Sequence, residues 1–250
     1  MFEGKLASLG GVVAAALLGV AAPALAAPML QNILPFGDNR GAPTPPVARY
    51  IAVQGQSFVF DRVSSPQPLL KFDDSPEVWV LEASPAPRGD MVYRNDAGET
   101  VLRVTRLGGL TLFTPQDPEG IPVAMLGEAD ELVPPPGLPQ GALLQRITQA
   151  GLKASRAVQH PITFDAPSFP THAGPLVVDA AAVAADAMVR MAHRPDCHAF
   201  LQRLDKLTIV LGAHSDVTVV GPVMIITVAP GQGFAGRPSS DRLIKAALKR

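Results

Sequence analysis

From residue 93 to residue 114 the chain reads YRNDAGETVLRVTRLGGLTLFT, with apolar Leu102 and Val104 alternating with polar Arg103 and Thr105. A period of two marks a strand with one buried face and one wet face. Asn95-Asp96-Ala97-Gly98 before it and Gly108-Gly109 after it carry the turn chemistry of hairpin reversals. These runs predict a three-stranded antiparallel meander, and the N-terminal half is built outward from it. Strand character begins at Tyr50. Residues 57–61 alternate Phe58 and Phe60 with smaller or polar partners. Residues 77–82, with Val78, Trp79, Val80 and Leu81, predict one strand buried on both faces. Residues 121–133 are apolar but punctuated by Pro122 and Gly127, which predicts an edge strand at best.

Pro134-Pro135-Pro136-Gly137 then interrupts the pattern, and beyond it the period moves toward 3.6. Leu143, Ile147, Gly151, Ala154 and Val158 line one face of a helix, while Arg146, Lys153 and Arg156 fall elsewhere on it. Such a cationic surface suits either plain solvation or contact with anionic lipid or glycan, and the thin apolar stripe favours solvation. Residues 179–191 predict an Ala-rich helix with Asp186 and Arg190 spaced for an i,i+4 pair. Pro195 suits the first turn of a third helix, with Cys197, Leu201 and Leu204 as its apolar stripe. The β-branched runs 207–211, 217–220 and 223–228 are strands by composition and length. A short helix from about Asp241 closes the chain, with Lys245, Lys249 and Arg250 toward its C-terminal end. The fold class is α+β: an antiparallel β meander or small barrel-like unit at 49–133, a Pro-rich linker at 134–140, and a mixed α+β unit at 141–250.

Composition narrows this further. A hydrophobic content of 47 % supports a real core, and 17 % charge argues against global disorder. A formal net charge of −1 offers no concentrated basic excess for nucleic acid. One cysteine excludes an internal disulfide and a cysteine-rich zinc site. Residues 1–26 fit a secretory signal: an apolar run at 9–20, too short to span a bilayer comfortably, then Ala24-Leu25-Ala26 as a small-x-small cleavage pattern. The alternative is an uncleaved anchor. Residues 27–48, rich in Pro, Gly, Asn and Ala, read as a disordered leader. The mature chain is expected in the periplasm or secreted, with no transmembrane anchor after cleavage.

The candidate chemistry is sparse. Gly231-Gln232-Gly233-Phe234-Ala235-Gly236 has the G-x-G-x-x-G spacing after a strand and before a helix. No second parallel strand and no ribose-binding acid about 20 residues on accompany it, so no dinucleotide cofactor is expected. What survives is a weak anion site in which Gly231, Gly233 and Gly236 lead to Arg237, Ser239 and Ser240 at a helix start. The competing reading is a serine helix cap and nothing more. His193, Asp196, Cys197 and His198 are the one cluster of candidate metal ligands or reactive groups, but their spacing matches no zinc motif. His214-Ser215-Asp216 are adjacent, whereas a triad is assembled from distant elements. The carboxylates Asp73, Asp74, Glu128, Asp130 and Glu131 could in principle serve a glycosidase, but lie in loop-like sequence. No catalytic residue, metal or cofactor is assigned.

The meander with its Asn-Asp-x-Gly turn, the LRVTRLGGLTLFTP run and the closing AGRPSSDR segment together resemble a family of exported alphaproteobacterial proteins of unknown function. The resemblance implies an envelope protein without an assigned activity and carries over no functional residues. The expectation is therefore an exported binding or scaffolding module, more a binder than an enzyme, whose partner is an envelope protein or a glycan. A periplasmic hydrolase of an envelope polymer is the alternative. In an export-competent host the mature N-terminus is expected at Ala27, read by N-terminal mass spectrometry of the fractionated protein; retention of Met1 contradicts it.

Overall fold

Among the described residues the first half of the chain makes nine strands, several of them with β-branched or aromatic residues at alternate positions. They are β1 (Val47–Ala52), β2 (Ser57–Asp61), β3 (Leu69–Phe72), β4 (Val78–Val80), β5 (Glu82–Ala86), β6 (Asp90–Arg94), β7 (Thr100–Val104), β8 (Leu110–Leu112) and β9 (Ile121–Glu128). The computed structural model describes residues 45–249 apart from 135, 136 and 138, so the signal segment and most of the leader lie outside the described residues. The strands form one antiparallel sheet in the order β4-β3-β2-β1-β9-β8-β7-β6-β5. Its first and last members, β4 and β5, are consecutive in the chain and separated only by Leu81. A sheet whose two edges are joined by one residue must curl back on itself, and the result is a near-barrel.

The inward residues form a single apolar cluster of Tyr50, Phe58, Phe60, Leu70, Phe72, Leu81, Tyr93, Leu102 and Leu112 with their smaller neighbours. Phe60 meets Tyr93 edge-on across the interior, with ring centroids 5.1 Å apart, and Tyr50 stacks on Phe58 at 5.5 Å. At the end of β2, Asp61 accepts backbone N–H bonds from Val63, Ser64 and Leu132 and so ties the segment after β9 to the barrel. Burial alone would push the Asp61 carboxyl up, but these hydrogen bonds outweigh it and hold it below the usual range.

The second half contributes α1 (Gln140–Val158), β10 (Thr163–Asp165), α2 (Gly174–Ala192), α3 (His198–Leu201), β11 (Lys206–Leu211), β12 (Asp216–Val220), β13 (Val223–Val228) and α4 (Ser240–Leu248). The sheet order is β10-β11-β13-β12, with β10, β11 and β13 parallel and β12 antiparallel. Its Leu207, Ile209, Met224, Ile226 and Val228 face a core shared with α1, α2 and α4. The Ala-rich face of α2 lets it lie close to α1: Gly174 sits against Leu143, where an added Cβ would overlap that side chain. The α+β class and the meander β6-β7-β8 are as the residue pattern predicts.

Several details differ, each for a tertiary reason. The run 77–82 is two strands, because the chain changes partners from β3 to β6 at Leu81. Segment 121–128 is central, between β1 and β8. Pro122 forfeits one N–H without ending the ladder, and a bulge opposite Arg49 and Tyr50 absorbs the irregularity near Gly127. Strand β1 starts at Val47, inside the Pro-rich stretch. Strands β3 and β10 escape a periodicity reading because they are only four and three residues long. The third helix is a 3-10 turn at Pro195–Cys197 followed by a single α-turn. Asp186 pairs with Lys153 of α1, and Arg190 with Asp241 of α4, so neither makes the i,i+4 pair.

Cys197 is fully buried in the second core. Burial, and then the neighbouring Asp196, push its thiol up, away from thiolate. A thiol reagent is therefore expected to label it only on unfolding, followed by mass spectrometry across a denaturant series; fast native labelling contradicts this.

Candidate functional site

The largest concentration of buried charge lies where the closing segment 229–245 meets the barrel. Strand β13 ends at Val228 and the chain turns through a 3-10 segment, Pro230–Gly236. An added Cβ at Gly236 would overlap the Ala229 carbonyl, so this close reversal requires glycine. Gly233 adopts φ +55, whereas Gly231 is open to solvent on its Cβ side. The loop seats Phe234 on the outer face of the barrel against Leu69 and Val78. The glycines thus shape a turn that delivers one aromatic anchor and, immediately after it, Arg237.

The Arg237 side chain is 1 % exposed. Its Nε donates to Asp179 of α2, its Nη2 donates to the Val78 carbonyl at 3.0 Å, and its Nη1 lies 3.8 Å from Glu77 Oε1. Ser239 caps α4, accepting from the Arg242 N–H at 3.1 Å. The free N–H groups at this helix start are taken by the barrel. Ser240 N–H donates to Glu77 Oε1 at 2.9 Å and its hydroxyl to Oε2 at 2.6 Å. Ser239 N–H donates to Asp96 Oδ2 at 2.9 Å, and its hydroxyl also donates to Asp96. Asn95 donates to Asp241 at 2.9 Å, Arg190 bridges Ser240 and Asp241, and Lys245 donates to the Ala97 carbonyl at 2.5 Å. Burial drives the Glu77 carboxyl upward, against the opposing pull of Arg237 and Ser240.

This accounts for the six anion-site candidates. Arg237, Ser239 and Ser240 do converge on carboxylates, but those carboxylates are Glu77, Asp96 and Asp179 of the same chain. An external anion would have to displace them. Beside the seam is a cleft of about 200 Å³ lined by Gln67, Glu82, Asn95, Asp96, Arg237 and Arg242. A second groove of about 320 Å³, on the far side of α4, has Arg190, Arg194, Lys245 and Lys249 facing Glu99 and Asp241. Among the described residues no buried side-chain polar atom is left without a hydrogen-bond partner.

The other candidates are not brought together. His193 contacts the Val189 carbonyl through Nδ1 at 2.8 Å, and His198 contacts the Ala192 carbonyl through Nε2 at 3.2 Å. Asp196 is held by Arg194, and Cys197 points into the core. Among the described residues no group of three or more His, Cys, Asp or Glu is placed to hold a metal. Ser215 and Asp216 both accept from Arg242. Asp73 is bound by the Ser57 hydroxyl and by Arg49, which hold its carboxyl below the usual range. Glu77, Asp96 and Asp179 carry the seam, and the residue pattern missed all three. The one legible signal was Glu77, an acid at the head of an apolar run.

Removing Arg237 leaves the buried Glu77 and the half-buried Asp179 without their cation. Arg237→Met is expected to destabilise by about 3–5 kcal/mol, measured by chemical denaturation. Glu77 sets a pH dependence of opposite sign to that of an ordinary surface acid. Its folded pKa is raised, so its contribution is complete below its unfolded value and is lost as pH rises through the folded one. Wild-type melting temperature minus that of Glu77→Gln is therefore expected to fall as pH rises from about 4 toward neutrality. A difference that grows with pH would contradict it.

No curated protein and no solved structure matches the chain. A family model does, over residues 29–247, a span that takes in both sheets and the whole seam. The chain accordingly belongs to the family described as Domain of unknown function (DUF4908).

Proposed function

We infer that this protein is an exported, non-catalytic binding or scaffolding module of the cell envelope, and that it takes an extended segment of another envelope protein along β12. The observation that carries the reading is the open side of the four-stranded sheet. Strand β12 is an outermost strand, and among the described residues no backbone hydrogen bond reaches its outer side. It has no proline, no lysine and no bulge, and its one charge is Asp216 at the start of the strand, paired with Arg242. An unpaired, regular five-residue edge is the template that strand addition uses. The sheet face turned away from the helices adds Thr208, Val210, Thr218, Val220, Val223 and Ile225, half-buried or exposed residues with β-branched surfaces.

A protein partner fits better than a glycan. Sugar stacking uses exposed aromatic faces, whereas Tyr50 and Tyr93 lie inside the barrel and Trp79 packs edge-on against Phe72. The hydrophobic address at 1–26 supports export, and no described helix is long and apolar enough to cross a membrane.

A photo-crosslinking residue at Thr218 is expected to trap one discrete partner in the envelope fraction, while the same residue at exposed Arg146 of α1 traps none. Recovery of the protein with cytoplasmic markers, or identical adducts at both positions, overturns the reading.

A further inference from the structure

The barrel has two ends, and the chain treats them differently. Tracing strand directions through the pairings puts the β3–β4 and β6–β7 turns at one end and the β5–β6 and β7–β8 turns at the other, with the C-terminus of β9. The first end carries Glu77, Asn95 and Asp96 and is closed by the seam. Among the described residues the second end has no such cover.

Two turns of the meander make the contrast sharp because they share one construction. In each, the fourth residue returns its N–H to the first carbonyl: Gly98 to Asn95 and Gly108 to Thr105, both at 2.9 Å. Both glycines have positive φ, +84 and +86. The turn chemistry thus lies in the outer positions, and the two tip residues are free to serve something else. At the covered end the tip is Asp96-Ala97, and it is docked on Ser239 and Lys245. At the open end the tip is Arg106-Leu107, and Leu107 is 97 % exposed. Nothing in the turn requires leucine there.

Charge surrounds that leucine. Arg103 and the Arg106 N–H bind Asp90, with Arg88 near enough to help hold the Asp90 carboxyl down. One guanidinium and one backbone N–H thus hold the acid, with the Arg88 charge nearby. Next to the β7–β8 hairpin in the sheet is β9, whose end and following segment carry exposed Glu128, Asp130 and Glu131. Among them stand Leu126, 52 % exposed, and Val133, 66 % exposed. Among the described residues, the side chains of Arg88 and Arg106 and all three of these acids make no ion pair or hydrogen bond.

We propose that this end of the barrel is a self-association surface, in which the Arg88, Arg106 and Leu107 patch of one copy meets the Glu128, Asp130 and Glu131 segment of a second. A basic patch and an acidic patch lying side by side become mutually opposed when a two-fold axis passes between them, the condition for an isologous contact. Leu107 supplies the apolar anchor, seated between Leu126 and Val133 of the other copy. The acids make an anionic lipid surface the poorer occupant, since they would face it along with the arginines.

The test is sedimentation velocity on the chain as purified, up to about 0.2 mM, which covers the range of weak interfaces. A monomer–dimer equilibrium is expected, weakened about tenfold by raising salt from about 20 mM to about 300 mM. Leu107→Ser is expected to weaken it at least about tenfold. Val53→Ser, at another exposed turn on the opposite end, leaves it unchanged. The decisive arm uses charge reversal: Arg88→Glu with Arg106→Glu in one chain, Glu128→Lys with Glu131→Lys in another. Each should be monomeric alone and the mixture should dimerise. A monomer at every concentration, a dimer indifferent to these reversals, or reversed chains that fail to pair overturns the proposal. So does Leu107-dependent binding of the monomer to phosphatidylglycerol vesicles, which would make lipid the occupant.

Discussion

A guanidinium taken wholly out of water must find carboxylates and carbonyls arranged around it, and the surroundings of Arg237 come from three separated parts of the chain. Asp179 comes from the N-terminal half of α2, Glu77 and the Val78 carbonyl from the entry to β4, and the arginine itself from the loop after β13. None of these can move far without leaving a charge unpaired in a low-dielectric site, where removing one partner costs more than the pair is worth. The serines that follow extend the same demand. Ser239 and Ser240 satisfy two barrel carboxylates with the N–H groups that every helix start leaves over. The start of α4 is therefore both a cap for itself and the lock between barrel and helices.

Closure of the barrel is what brings Glu77 to that lock. Because β4 and β5 are joined through buried Leu81 yet pair with β3 and β6, the turn before β4 and the turn between β6 and β7 open at the same end. Glu77 and Asp96 then stand together although they are 19 positions apart in the chain. The cost of burying Glu77, visible in its upward-driven carboxyl, is only partly offset by Arg237 and Ser240. A seam built this way orders the structure, its hydroxyls donating to carboxylates from another part of the chain.

The residues that declared themselves in the sequence did so through local physics. Alternation at 100–104 follows from a sheet with one wet face, and the glycines at 98 and 108 from turns that need positive φ. The apolar stripe of α1 at Leu143, Ile147, Gly151 and Ala154 follows from 3.6 residues per turn. Burial of Cys197 follows from its place on an apolar face. In each case the information lies within a few residues of the position that uses it.

What only the tertiary structure decided is pairing over distance. Whether 121–128 sits at the edge or the centre depends on what lies on its far side, and β1, some seventy residues earlier, occupies it. Whether Gly231 to Ser240 cradles a ligand or the protein depends on Glu77 and Asp96, which no local pattern links to it. Arg190 chose Asp241 over its helical neighbour Asp186 because α4 brings a better-enclosed carboxylate within 2.5 Å. Strand and helix were thus written locally by period and turn chemistry. The partner of every buried charge was set by topology, because an ion pair has no periodicity and is made by whichever elements the closed barrel and packed helices bring together.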